Sequence, residues 1–200
     1  MPESKNFPAE LPTMKADAWN KALELAGAAY IFEVRARRLG KRLNHLNLLG
    51  LAVPLTVGAI VLAYGAKANA LIWLICSAIG VFQLVMFAWS LLARWVDGYQ
   101  HSLQALVSNR SLAQKYESLA KEEPAGLLDY RHRLDVLDAT YSAQRAEDYQ
   151  QEISEAETRM GMHAGLRQYE RECAGCHITP IRMEPTDCGV CGDFPRRWVR

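Results

Sequence analysis

Charge is missing from two long stretches of this chain. No Asp, Glu, Lys or Arg occurs from Leu43 to Ala66 or from Ala68 to Ala93, and only Lys67 separates the two. Segments so poor in charge are excluded from an ordinary solvated surface. The chain opens Met1-Pro2-Glu3-Ser4-Lys5-Asn6-Phe7-Pro8, with no basic start, apolar stretch or cleavage site. That excludes a secretory leader of the usual kind and leaves the N-terminus expected in the cytoplasm. Neither sign of charge dominates: the formal net charge is +1. Balanced charge gives no support for nucleic-acid binding as the main task, so no direct nucleic-acid partner is expected. Also absent are a glycine-rich phosphate loop, a Ser-x-x-Lys and a His-Glu-x-x-His. With no catalytic constellation, the expectation is a protein that is not an enzyme.

The two uncharged stretches define the fold class. Leu46–Ala66 and Ala70–Ala93 are each long enough to cross the roughly 30 Å hydrocarbon core as a helix rising about 1.5 Å per residue. The linker Gly65-Ala66-Lys67-Ala68-Asn69 is too short to hold a domain, so the spans must be antiparallel neighbours. Arg35, Arg37, Arg38, Lys41 and Arg42 precede the first span and Arg94 follows the second, against Lys67 alone in the linker. Positive charge gathers on the cytoplasmic side, which predicts both termini in the cytoplasm. Trp73, Trp89 and Trp95 stand where interfacial anchors would.

Around the hairpin the pattern is helical. The prolines Pro2, Pro8 and Pro12 predict a loose leader over 1–13, and Thr13 is placed to cap a helix over 14–43. That helix puts Trp19, Leu23, Ala26, Tyr30 and Val34 on one face. The hairpin region then runs over 44–94. Cytoplasmic helices follow over 95–171: a stripe from Trp95 to Leu119 ends at Lys121, Glu122-Glu123-Pro124-Ala125-Gly126 breaks it, and a second stretch carries Leu127, Tyr130, Leu134, Leu137, Tyr141, Tyr149 and Ile153. Such faces suit a small bundle or an oligomerising stalk. Glu152, Glu155 and Glu157 read as a solvated face, and His132 and His163 as solvated histidines on charged helices.

The segment 172–200 changes character. Cys173-x-x-Cys176 and Cys188-x-x-Cys191 are two knuckles separated by eleven residues. A structural zinc wants four soft ligands in a tetrahedron at about 2.3 Å, and each Cys-x-x-Cys turn offers two. The preferred cofactor is therefore one structural Zn²⁺ held by Cys173, Cys176, Cys188 and Cys191; a rubredoxin-like iron needs the same sulfurs and stays open on spacing alone. A cytoplasmic address argues against stable disulfides. Cys173-Ala-Gly-Cys176-His177 also spells a c-type haem attachment signature, which would leave Cys188 and Cys191 unexplained. His177 reads as a surface residue or a spare donor. Gly175, Gly189 and Gly192 are expected to relieve tight backbone through positive φ.

Polar groups inside the spans are few. Gln83 is an amide at membrane depth whose donors need partners, as a pore-lining or helix-pairing residue or within the hairpin itself. Cys76 reads as a small hydrophobe.

The combination of basic helix, two-span hairpin, cytoplasmic helices and Cys-x-x-Cys-x(11)-Cys-x-x-Cys resembles the bacterial mobilome CxxCx(11)CxxC proteins. Cys173, Cys176, Cys188 and Cys191 match the motif with its full spacing. The membrane part is in turn similar to the SLATT domains of bacterial conflict systems. The resemblance implies an antiphage role: a membrane effector that oligomerises and permeabilises the inner membrane when a sensor partner or nucleotide signal triggers it. The rival expectation is a membrane-tethered zinc adaptor without pore activity; an iron-bearing membrane redox protein is a third. The expected fold is an all-α membrane protein, a two-helix transmembrane hairpin with long cytoplasmic helices and a small C-terminal zinc knuckle.

Overall fold

The computed structural model describes residues 7–64, 69–124 and 126–198. Its regular structure among those residues is helical. Five α-helices follow in order: α1 Phe7–Tyr64, α2 Ala70–Leu92, α3 Trp95–Lys121, α4 Leu127–Tyr149 and α5 Glu155–Gln168, with a 3-10 turn at Arg196–Trp198. The chain divides into two compact units, Met1–Val34 with Ser102–Arg200, and Arg35–His101.

α1 departs from the sequence expectation at both ends. It begins at Phe7, so the leader expected over 1–13 is helical for its second half, and Thr13 is interior rather than a cap. The first turn of a helix leaves its N–H groups unpaired in any case, so Pro8 forfeits nothing there and Pro12 only one bond. Nor does α1 stop near Leu43: amphipathic and apolar patterns join in one 58-residue helix. It runs through Pro54 unbroken, and the Thr56 hydroxyl donates to the carbonyls of Ala52 and Val53 at 2.9 Å. The linker residues 65–68, including Lys67, lie outside the described residues.

In the unit Arg35–His101, α1 and α2 form a hairpin. Asn69 caps α2, its side chain accepting from the Leu71 N–H at 3.2 Å. The less exposed residues of α2, Ile72, Cys76, Gly80, Gln83, Met86 and Ser90, recur every three or four positions, as do Val53, Val57 and Ile60 on α1. That periodicity is a helix–helix seam. The remaining faces are apolar and uncovered: the most hydrophobic stretch of each helix has no buried residue, and both are long and apolar enough to cross a membrane. Arg94, at φ 50, ends α2 and turns the chain into α3, whose Asp97 it meets at 2.9 Å. Gly40 and Tyr99 pack closely beside this turn, and Arg42 lies over the Trp95 ring at 5.5 Å.

In the other unit, the start of α1 packs with α3 and α4. Its core joins Ala18, Ala22 and Leu25 to Leu112, Tyr116 and Leu119, and to Tyr130 and Leu134. A polar knot is set into the edge of this core. Lys21 donates to both oxygens of Asp138 at 2.8 Å, and the Tyr116 hydroxyl donates to the same carboxylate at 2.6 Å.

The second amphipathic stretch is two helices rather than one. α4 ends at Tyr149, Glu152 takes a left-handed φ of 45, and α5 starts behind Ser154. Ser154 and Glu157 form a reciprocal capping box: each side chain takes the other's backbone N–H. Glu157 is therefore only 8% exposed, not part of a solvated face, whereas Glu155 is exposed and pairs with Arg159 at 3.0 Å. α5 lies on α1 almost without side chains between them. A β-carbon on Gly161 would stand 2.8 Å from the Gly27 carbonyl oxygen, and one on Gly165 would stand 2.6 Å from that of Leu23. Such approach is open only to glycine.

Candidate metal centre

The two knuckles are built alike. In the first, the His177 N–H donates to the Cys173 carbonyl at 2.8 Å and the Gly175 N–H points at the Cys173 sulfur at 3.4 Å. In the second, Gly192 N–H donates to the Cys188 carbonyl at 2.8 Å and Val190 N–H points at the Cys188 sulfur at 3.4 Å. Each turn thus closes on itself and aims two sulfurs the same way.

The expected role of the glycines needs correction. None of Gly175, Gly189 and Gly192 takes a positive φ; that conformation falls on His177 (φ 56) and Asp193 (φ 52). What the glycines supply is room. A β-carbon on Gly175 would meet Val190 Cγ2 at 2.7 Å, and one on Gly192 would meet the Thr186 oxygen atoms at 2.2 Å, whereas Gly189 faces open space.

The four sulfurs of Cys173, Cys176, Cys188 and Cys191 lie within 4.8 Å of one another. Cys173 and Cys188 are 3.9 Å apart, Cys176 and Cys191 3.8 Å. A tetrahedron with arms of about 2.3 Å has edges of about 3.8 Å. All four cysteines are free thiols at these separations, which rules out the disulfide alternative for this arrangement. The cluster fits one metal ion with all four positions filled by protein. The N–H groups of Cys191 and Val190 hold the Cys188 thiol down, to about 6, while burial pushes the Cys191 thiol up.

That geometry and spacing agree with a family model that matches residues 15–194, the mobilome CxxCx(11)CxxC protein. The chain belongs to this family. No curated protein and no solved structure matches it.

In this mobilome CxxCx(11)CxxC protein the cysteine cluster is not a loose appendage. Cys173 and Cys191 are buried against Leu166 of α5, and Phe194 packs with Ile31, Val34 and Met160. The residue that sequence reasoning missed is His163. Expected on a solvated helix face, it is 3% exposed. Its Nδ1 lies 2.7 Å from the Cys191 carbonyl oxygen and its Nε2 2.7 Å from that of Arg182. Carbonyl oxygens only accept, so the ring donates to at least one of them, and its tautomer decides which. The Phe194 ring stands edge-on to it at 5.4 Å. No local pattern marks this histidine; the signal within reach was the Ser154-x-x-Glu157 capping box, which sets the register of α5.

The other singled-out residues lie elsewhere. Gln83 and Cys76 are half-buried on the hairpin seam, His132 is exposed on α4, and His177 is exposed and outside the sulfur cluster.

Proposed function

We propose that this protein is a two-span membrane effector of bacterial conflict systems. It sits in the inner membrane with both termini cytoplasmic, assembles with copies of itself, and permeabilises the bilayer when a sensor partner or nucleotide signal triggers it. The observation that carries the membrane part is the uncovered apolar surface of α1 and α2. Leaving Leu48, Leu62, Leu74, Leu84 and Leu92 exposed in water forgoes about 1.5–3 kcal/mol for each side chain, and lipid recovers it. The shared unit of α1's start and α3–α5 supports placing the two ends on one face of the membrane, since both spans lie between them. The arginines and lysines of Arg35–Arg42 favour the cytoplasmic face. Four thiolates at tetrahedral spacing favour zinc as a structural ion. The role in conflict rests on the family's place in the mobilome and on the likeness of the spans to SLATT domains. No reaction is assigned, and the protein acts without catalysis.

One observation favours the adaptor reading instead. Gln83 is on the seam within the hairpin, and the Thr56 and Ser77 hydroxyls are satisfied on their own helices. A pore would need this closed hairpin to open and turn Gln83 toward water. Expression with the native neighbouring genes under phage challenge, followed with a potential-sensitive dye, separates the two. Depolarisation that weakens in Gln83→Leu, with the protein still in the membrane fraction, supports the effector. Unchanged potential and growth replace it with the adaptor.

A further inference from the structure

We infer that His163 is the positioning residue of the metal centre, a strut from α5 that ties the second knuckle to the loop between the two knuckles. The inference rests on the reading of the four cysteines as a metal site. Cys191 belongs to the second knuckle, and Arg182 lies in the loop between the knuckles; the His163 ring reaches the carbonyls of both at 2.7 Å. The two ring nitrogens lie on different edges of the imidazole, so one rigid ring meets two backbone carbonyls that lie apart. An amide of similar length carries both N–H groups on one nitrogen and reaches one of the two carbonyls.

The strut is itself fixed. α5 cannot slide on α1, because Gly161 and Gly165 bring the two backbones into contact. The ring is buried against Phe194 and has no free rotamer to lose when metal binds. Partners outside the ligand set that orient the ligands commonly change metal affinity about 10- to 100-fold when removed. Here the partner holds ligand backbone rather than a ligand side chain, and the expected effect is a faster loss of metal with the fold intact.

The test uses the full chain in detergent micelles, loaded with zinc and challenged with a colorimetric chelator. Wild type, His163→Gln, His163→Phe and a surface control, His132→Asn, are compared. His163→Phe should release zinc about tenfold faster or more, His163→Gln should fall between it and wild type, and His132→Asn should match wild type. Far-UV helicity should stay unchanged, while amide exchange should rise over Arg182–Cys191 alone. If His163→Phe loses helix content, the Gln variant decides. A folded variant series that releases zinc at the wild-type rate overturns the strut alone. A wild-type chain that takes up no zinc overturns the metal reading and the strut with it.

Discussion

Gly27 and Gly161 meet backbone to backbone: a β-carbon on Gly27 would stand 2.7 Å from the Gly161 carbonyl oxygen. Gly161→Ala should therefore destabilise the α1–α5 contact by about 1–3 kcal/mol, as inserted methyl groups in packed interiors do. Gly189→Ala, which points into open space, should be close to neutral. Melting temperatures of the two variants, taken side by side, check this.

The metal site predicts its own stoichiometry. Purified protein should hold about one zinc per chain, lost when any of Cys173, Cys176, Cys188 or Cys191 becomes serine, because a closed structural site needs all four ligands. Metal supplies folding energy to units of this kind, so protease should then cut near Glu172. Iron found by elemental analysis, or no metal in freshly reduced protein, would reject zinc.

Topology follows from reporters. A fusion after Arg200 that is active only in the periplasm should stay silent, and one inserted at Lys67 should be active. An active C-terminal fusion reverses the orientation.

The capping box sets the start of α5. Ser154→Ala removes the acceptor for the Glu157 N–H and should cost about 1 kcal/mol in chemical denaturation. No shift in the denaturation midpoint would mean that tertiary contacts alone hold this end.

Alkaline pH should loosen the bundle at Tyr169. Burial, then the Glu117 carboxylate, pushes its phenol up to about 12. A group whose pKa is raised on folding contributes stability that is full below its unfolded value near 10 and is lost as pH rises through 12. The difference absorbance between wild type and Tyr169→Phe should show a phenol ionising near 12; ionisation near 10 contradicts the burial.

The knuckles and spans were legible because both are local. Ligand spacing is a property of a few adjacent residues, and a run without charge reports its solvent directly. Continuity was less legible. Nothing at Leu43 says whether the amphipathic helix ends there, and the answer, a helix that continues, is set by good helix formers such as Leu46, Leu48 and Leu49 with no breaker before Gly50. The break at Glu152 was missed because a positive φ on a charged residue has no composition signal. His163 was missed for a related reason. Its helix reads as charged, and what buries it, the backbone at Cys191 and Arg182, comes from chain well beyond it.

The bundle's composition from both ends of the chain bears on how the protein is made. Ala18, Ala22 and Leu25 are buried by α3 and α4, which leave the ribosome only after α2 has been synthesised. The N-terminal partner of that core must therefore wait, uncovered, through the synthesis of both hydrophobic helices. Closure can follow only when Leu134 has emerged, and α5 with its cysteines later still. Under the function proposed above, maturation would have a fixed order, membrane first, bundle next, metal last, and a nascent chain cut short before α5 would have no means of completing it.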